Sequence, residues 1–212
     1  MSPDSPRRPK TVKGAIMALR SDPTQIILDP DTPTLVFQYN PETLTHTFSM
    51  PNGEEVLQKE GSGSANSLLE LMSLTLEFDA ADQLEHPDKN IAFVENGLHP
   101  ALAVLETIML YQSKTEKSTS PILVFLFGRN RTVPVWLDSL RVVEDAFDPN
   151  LNPIRVRIEL VMRVRGLSEF KKGSPGYAIC AGHLNRRRSL AKLYPLNGNI
   201  GRLFQQVAHS GH

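Results

Sequence analysis

The chain has 212 residues, 40% of them hydrophobic and 22% charged, which suits one good-sized core with a small appended element. Its 23 basic and 23 acidic side chains cancel, so no whole-molecule field gathers nucleic acid or an anionic membrane, and any electrostatic role must be local. The single cysteine, Cys180, cannot form an internal disulfide, and no charged-then-apolar leader is read at the first residues, so the expected setting is a reducing cytoplasm.

Residues 1–12 hold three prolines and two arginines and are expected to form a flexible arm. "KGAIMALRS" reads as a first short strand. In "TPTLVFQYNPETLTHTFSM", Thr34 to Gln38 is rich in strand formers, Asn40-Pro41 breaks it, and Thr43 to Ser49 alternates again. The polar, glycine-bearing stretch from Asn52 to Ser67 is expected to be a long loop. Residues 71 to 80 alternate, with Met72, Leu74, Leu76 and Phe78 on one side and Ser73, Thr75 and Glu77 on the other. The one convincing helix of the main domain is "LHPALAVLETIMLYQ". There Leu98, Ala101, Leu102, Leu105, Ile108 and Met109 share a face, and Pro100 fits a first-turn position.

"SPILVFLFG" then reads as a buried strand, "TVPVWLDSL" as its neighbour across the "GRNR" turn, and "RVVEDAF" as a short continuation. The last strand lies in "AFDPNLNPIRVRIELVMRVRG", residues 146 to 166. Its apolar positions Ile154, Val156, Ile158, Leu160, Met162 and Val164 alternate with Arg155, Arg157, Glu159, Arg163 and Arg165. Strands, one helix and strands again, with hairpin-length connections, imply a mainly β fold: an antiparallel barrel or sandwich with one packed helix over residues 13–170. Residues 171–212 follow as a small C-terminal helical extension.

No motif for catalysis, cofactor binding or metal binding emerges. The histidines at 46, 86, 99, 183, 209 and 212 form no HExxH or His-x-His group with acids at ligand spacing. Cys180 among Tyr177, Ile179 and Ala181 reads as a packed thiol. "GSGS" at 61 to 64 lacks the lysine and helix of a phosphate-binding loop, and no Gly-x-Ser-x-Gly elbow occurs. The pairs Asp79 with Asp82 and Glu144 with Asp145 suit strand ends and turns. The apolar runs "PILVFLFG" and "LHPALAVL" fall far short of the roughly 20 residues a bilayer core needs. Arg186, Arg187 and Arg188 form a triplet and Arg155, Arg157, Arg163 and Arg165 a stripe. Neither carries the interleaved aromatics that stack on bases, so nucleic-acid binding is not expected of them.

Three segments together, "VFQYNPETL", "HPALAVLETIMLY" and "AFDPNLNPIRVRIELVMRV", resemble the tube-like domain of baseplate proteins from contractile injection systems, the phage-tail-like particles of bacteria. The resemblance covers about residues 13 to 168. It implies two packed antiparallel sheets with one helix, assembling as a homohexameric ring whose inner wall is a continuous β-barrel. It implies a tube initiator placed between a spike protein and the inner tube protein among other baseplate subunits. Such a protein is made in the bacterial cytoplasm and built into the particle.

The assembly interface then expected comprises Phe37, Tyr39, Asn40 and Pro41, the lead-in residues Phe147, Asn152 and Pro153, and the four stripe arginines. At least two of the arginines are expected to be covered on assembly, by acids such as Glu77 or Asp79 of a neighbouring chain or by the adjoining tube layer, with a lumen-facing wall as the alternative. Such families often continue into a LysM module, and Tyr177, Ile179, Gly182 and "SLAKLY" stand at suggestive places in the tail, although His183 replaces the module's aspartate. A degenerate LysM-like module and a plain docking helix remain alternatives there. The competing functional class is a nucleic-acid or cell-wall binding adaptor that uses the arginine clusters and the tail.

Overall fold

The computed structural model describes residues 12–21, 26–27, 33–50, 68–114 and 122–194. The expected arm (all but Val12), the loop at 52–67 and the tail beyond residue 194 lie outside them. Eight strands are described: β1 (Ala15–Ser21), β2 (Ile26–Ile27), β3 (Thr34–Val36), β4 (Leu44–Ser49), β5 (Leu69–Asp79), β6 (Ile122–Leu126), β7 (Thr132–Phe147) and β8 (Pro153–Val164). Four α-helices accompany them: α1 (Ala81–Leu84), α2 (Ile91–Asn96), α3 (His99–Lys114) and α4 (Pro175–Ala191). The fold is mainly β with a packed helix and a C-terminal helix, as the alternation and the one helical face imply.

The strands form one antiparallel sheet in the order β2-β1-β6-β7-β8-β5-β4, with β3 also paired to β1. The centre is the β7–β8–β5 set, in which β8 pairs from Asp79↔Arg155 to Leu71↔Arg163 on one side and from Phe147↔Pro153 to Val135↔Val164 on the other. One face of each strand is buried because the side-chain period of 2 is held throughout: Met72, Leu76, Ile158 and Met162 are fully covered. Helix α3 lies against that face and contributes Leu102, Leu105 and Ile108, with Leu98 just before it, to the same core. Its start is tied to the sheet by the Leu98 N–H donating to the Pro153 carbonyl at 2.8 Å.

Among the described residues the sheet does not close into a barrel, since the strand order ends at β4 on one margin and at β2 and β3 on the other. The sheet nevertheless curls until its margins meet. Just past β3, the Gln38 carboxamide donates to the Asp79 carbonyl at 2.6 Å and accepts from the Asp79 N–H at 2.8 Å. A side chain thus makes the rung that a neighbouring backbone would supply, because the chain turns away at Asn40-Pro41.

Three details complete the fold, the second of them a departure from the sequence reading. The strand read at "TVPVWLDSL" and its continuation "RVVEDAF" form the single 16-residue β7, which accommodates its length through irregularities between Leu137 and Ser139 and again near Glu144 to Phe147. The short helices α1 and α2 fill the link between β5 and α3, so α3 is not alone in the main domain. Gly97 ends α2 with φ +54°, where an added Cβ would stand 2.5 Å from the Pro153 carbonyl oxygen, so glycine is required twice over.

Candidate assembly surfaces

The charged face of β8 is compensated within the chain. Arg155 bonds Asp79 at 2.9 Å, Arg157 lies 3.7 Å from Glu77 and 3.8 Å from Asp145, and Arg163 lies 3.3 Å from Asp138. Glu159, the acid that interrupts the stripe, holds Arg141 of β7 at 3.2 Å. Glu77 and Asp79, expected to serve a neighbouring chain, have partners within the subunit: the register sets Asp79 opposite Arg155 and Glu77 opposite Arg157. The Ala81 N–H and then Arg155 hold the Asp79 carboxyl below its usual range.

Arg165 leaves the stripe altogether. It is 9% exposed, its guanidinium stands 4.2 Å from the Phe170 ring centre and 5.5 Å from that of Trp136, and Glu169 bonds it at 3.3 Å. Arg155, Arg157 and Arg163 keep much of their surface open.

The turn residues divide. Phe37 is a core residue with its ring centre 6.3 Å from that of Phe125, whereas Tyr39 is 47% exposed. The Asn40 side chain accepts from the Gly14 N–H at 2.9 Å and donates to the Val12 carbonyl at 2.8 Å, which fixes the turn, and Pro41 is half-buried beside it. Tyr39, Asn40 and Pro41, together with Glu42, Thr43 and Thr45, line a groove against Ser73, Thr75 and Glu77 of β5 and Glu159 and Val161 of β8.

The lead-in to β8 divides in the same way. Pro153 is buried, and Asn152 bridges Asp148 (2.9 Å) to the Glu95 carbonyl of α2 (3.2 Å). Asp148 accepts from the N–H groups of Asn150 and Asn152. These bonds, with the Asn152 amide foremost, hold its carboxyl below the usual range. Inside this turn Leu151 adopts φ +66° and is 75% exposed, with Phe147 open nearby in sequence.

Two ends of the sheet therefore display large apolar side chains. The end built from the close of β7, the start of β8 and α2 carries Phe147, Leu151, Ile91 and Val94. The opposite end, at the close of β4 and the start of β5, carries Phe48, Met50, Leu68 and Leu69. Among the described residues, the outer edge of β4 has no strand partner, and β7 beyond Val135 pairs only with β8.

Helix α4 starts at a Ser174 cap, whose hydroxyl accepts from the Tyr177 N–H at 3.3 Å, followed by Pro175. Tyr177, Ile179 and Gly182, which would begin a LysM strand, all lie inside this helix, so its described part lacks that module's opening. The first half docks through Ile179, beside Phe170 of the segment before the helix, onto Leu19, Ile122 and Val124. The Cys180 thiol is buried and bonds the Arg165 carbonyl at 3.4 Å, and burial pushes its pKa up, away from reactivity. In the second half, Arg186 bonds Asn130 at 2.5 Å and Arg187 bonds the buried Glu70 at 2.6 Å. The triplet thus has protein partners for two of its members. Among the described residues no three His, Cys, Asp or Glu side chains are placed to hold a metal, and no helix is long and apolar enough to cross a membrane.

The sequence reading did not single out Gln38, Gln112, Glu70 or Leu151. Their one signal is a polar residue inside an apolar-rich stretch, or a bulky residue between turn formers.

No protein-family model matches the chain, and no curated protein matches it. Among solved structures it is similar to a chain described as "Virion of native gene transfer agent (GTA) particle". The TM-score is 0.28 at 14% identity, over 71% of this chain and 91% of that one. A superposition at that level does not establish a shared fold.

Proposed function

We propose that this chain is a non-enzymatic structural subunit of a contractile injection particle, forming a homohexameric ring that initiates the tube between spike and inner tube. The observation that carries the reading is that, among the described residues, two edges of the central sheet lack a strand partner: the outer side of β4 and residues 138–147 of β7, beyond Leu137, whose backbone Gln112 caps. Exposed edges of this length invite pairing with another chain. One edge of each kind per subunit gives a head-to-tail contact of the type that closes into rings.

The exposed apolar side chains at both ends of the sheet fit a ring held between two further layers. The charge-compensated outer face of β5, β8 and β7 fits a wall that needs no counter-charge. The three resembling segments supply the architectural core of the sheet: the 36–44 turn fixes its margin, α3 its filling, and 146–164 its central strand. The adaptor alternative loses support because Arg155, Arg157 and Arg163 already have carboxylates within the chain.

Light scattering coupled to size separation, followed by electron microscopy of the peak, tests this. Sixfold rings support it. A stable monomer that binds polyanions in a salt-sensitive way overturns it in favour of the adaptor.

A further inference from the structure

The two halves of α4 are held by different physics. Residues 175–180 dock through buried apolar contacts and the Cys180 thiol. Residues 183–187 dock through polar groups: Arg186 on the Asn130 carboxamide of the β6–β7 turn, and a cluster of charge and imidazole on the β4–β5 hairpin. Glu70 of β5, 6% exposed, receives Arg187 at 2.6 Å, and the Nδ1 of His46 on β4 lies 3.7 Å from the same carboxylate. Arg187 also stands over the Phe48 ring of β4, 5.6 Å from its centre. His183 of α4 faces Arg187, Glu70 and His46, while Arg131 of the β6–β7 turn adds its charge to His46.

Among the described residues, Nε2 of His46 and both ring nitrogens of His183 are buried without a hydrogen-bond partner. Polar nitrogens left so cost free energy in the docked structure and favour a lifted one in which they meet water.

We propose that the second half of α4 is a pH-gated latch on the β4–β5 hairpin, closed while His46 and His183 are neutral and lifted when they take up protons. With both imidazoles neutral, the cluster sets two guanidinium groups, Arg131 and Arg187, against the one carboxylate of Glu70. Two added protons leave four positive charges facing that carboxylate in a partly buried site, and the helix end carrying His183 and Arg187 is the part able to move away. The first half, with no titrating contact to the sheet, stays docked and acts as the hinge.

Burial holds both histidines below their ordinary value of about 6.5, with Arg187 reinforcing the shift at each and Glu70 opposing it. The docked helix therefore binds protons less readily than the lifted one. Closure is complete above pH 6.5 and weakens as pH falls below that value. Lifting would uncover Glu70 and Phe48 beside the β4 edge. The latch holds whether or not that edge builds a ring.

Hydrogen exchange on the full chain between pH 7.5 and 5, corrected for intrinsic rates, tests the latch. Protection of residues 184–191 is expected to fall below pH 6.5, approaching about tenfold per pH unit for each proton taken up. Residues 178–181 should keep theirs. In the His46→Gln/His183→Gln double variant, residues 184–191 should lose this pH response. Equal loss in both halves, no loss in either, or a double variant that responds like the parent would each overturn the proposal. An NMR titration of the parent placing both imidazoles at or above 6.5 would overturn it as well, without any variant.

Discussion

The carboxamide of Gln112 on α3 bridges the bulge of β7 by bonding both backbone groups of Leu137: its oxygen accepts from the N–H at 2.8 Å and its nitrogen donates to the carbonyl at 3.0 Å. Leu137 sits where the β7–β8 register slips by one residue, and its outward backbone groups face the core. A bulge leaves such groups without a ladder partner, and α3 supplies one.

Replacing Gln112 with Leu keeps the volume and removes both bonds. Two buried backbone groups left unpaired should destabilise the fold by about 2–4 kcal/mol, read as a shift in the denaturant midpoint at unchanged slope. A loss under about 0.5 kcal/mol would mean that water or a repacked side chain serves Leu137 equally well.

Gln112 and Gln38 also mark what was illegible in the sequence. The strands 69–79 and 153–164 announce themselves because a period of 2 with one buried face is written directly into the residue order. The buried stripe of α3 is equally plain, from Leu102 to Ile108. Register is a different matter: nothing local says that Asp79 will face Arg155 or that Arg165 will turn under Phe170, so the acids were assigned to another chain. β2 has only two residues and α1 only four, too short for periodicity to register. The tail was legible in part, for Ser174-Pro175 is a helix-start signal, and it outweighs the partial likeness of Tyr177 and Ile179 to a strand.

Leu105, fully buried at the centre of α3, tests whether the helix is the filling of the curled sheet. Leu105→Ala should cost roughly 2–5 kcal/mol as a large-to-small core change, measured by urea unfolding. A change near zero would place this face of the helix outside the core.

Arg157, held between Glu77 and Asp145, predicts a small and salt-sensitive coupling. Arg157→Glu gathers three carboxylates, and adding Glu77→Arg restores one pair. The double-mutant cycle on isolated subunits should give about 0.2–1 kcal/mol, as exposed pairs do, and shrink in 1 M salt. A cycle that is silent in the monomer yet alters assembly would move the partnership of Arg157 to another chain.

Leu151 carries the sharpest opposition between folding and assembly. A leucine at φ +66° sits in a backbone region that a side chain with a Cβ enters only at a cost of about 1–2 kcal/mol. At 75% exposure its side chain recovers little of that by packing in the subunit. The Asp148 and Asn152 bonds impose the conformation, and the sequence places there a bulky apolar group where glycine or asparagine would sit without strain. In the ring reading, the side chain is kept because an adjoining layer covers it together with Phe147. Leu151→Gly should leave the subunit as stable as the parent or raise its melting temperature by a few degrees, the relief of strain offsetting the added freedom of the unfolded chain. The same variant should weaken stacking of the ring on its neighbours, visible as fewer capped or elongated particles in micrographs. If Leu151→Gly assembled as fully as the parent, the leucine would be an uncovered feature of the turn; if it melted well below the parent, the side chain would be packing within the subunit after all.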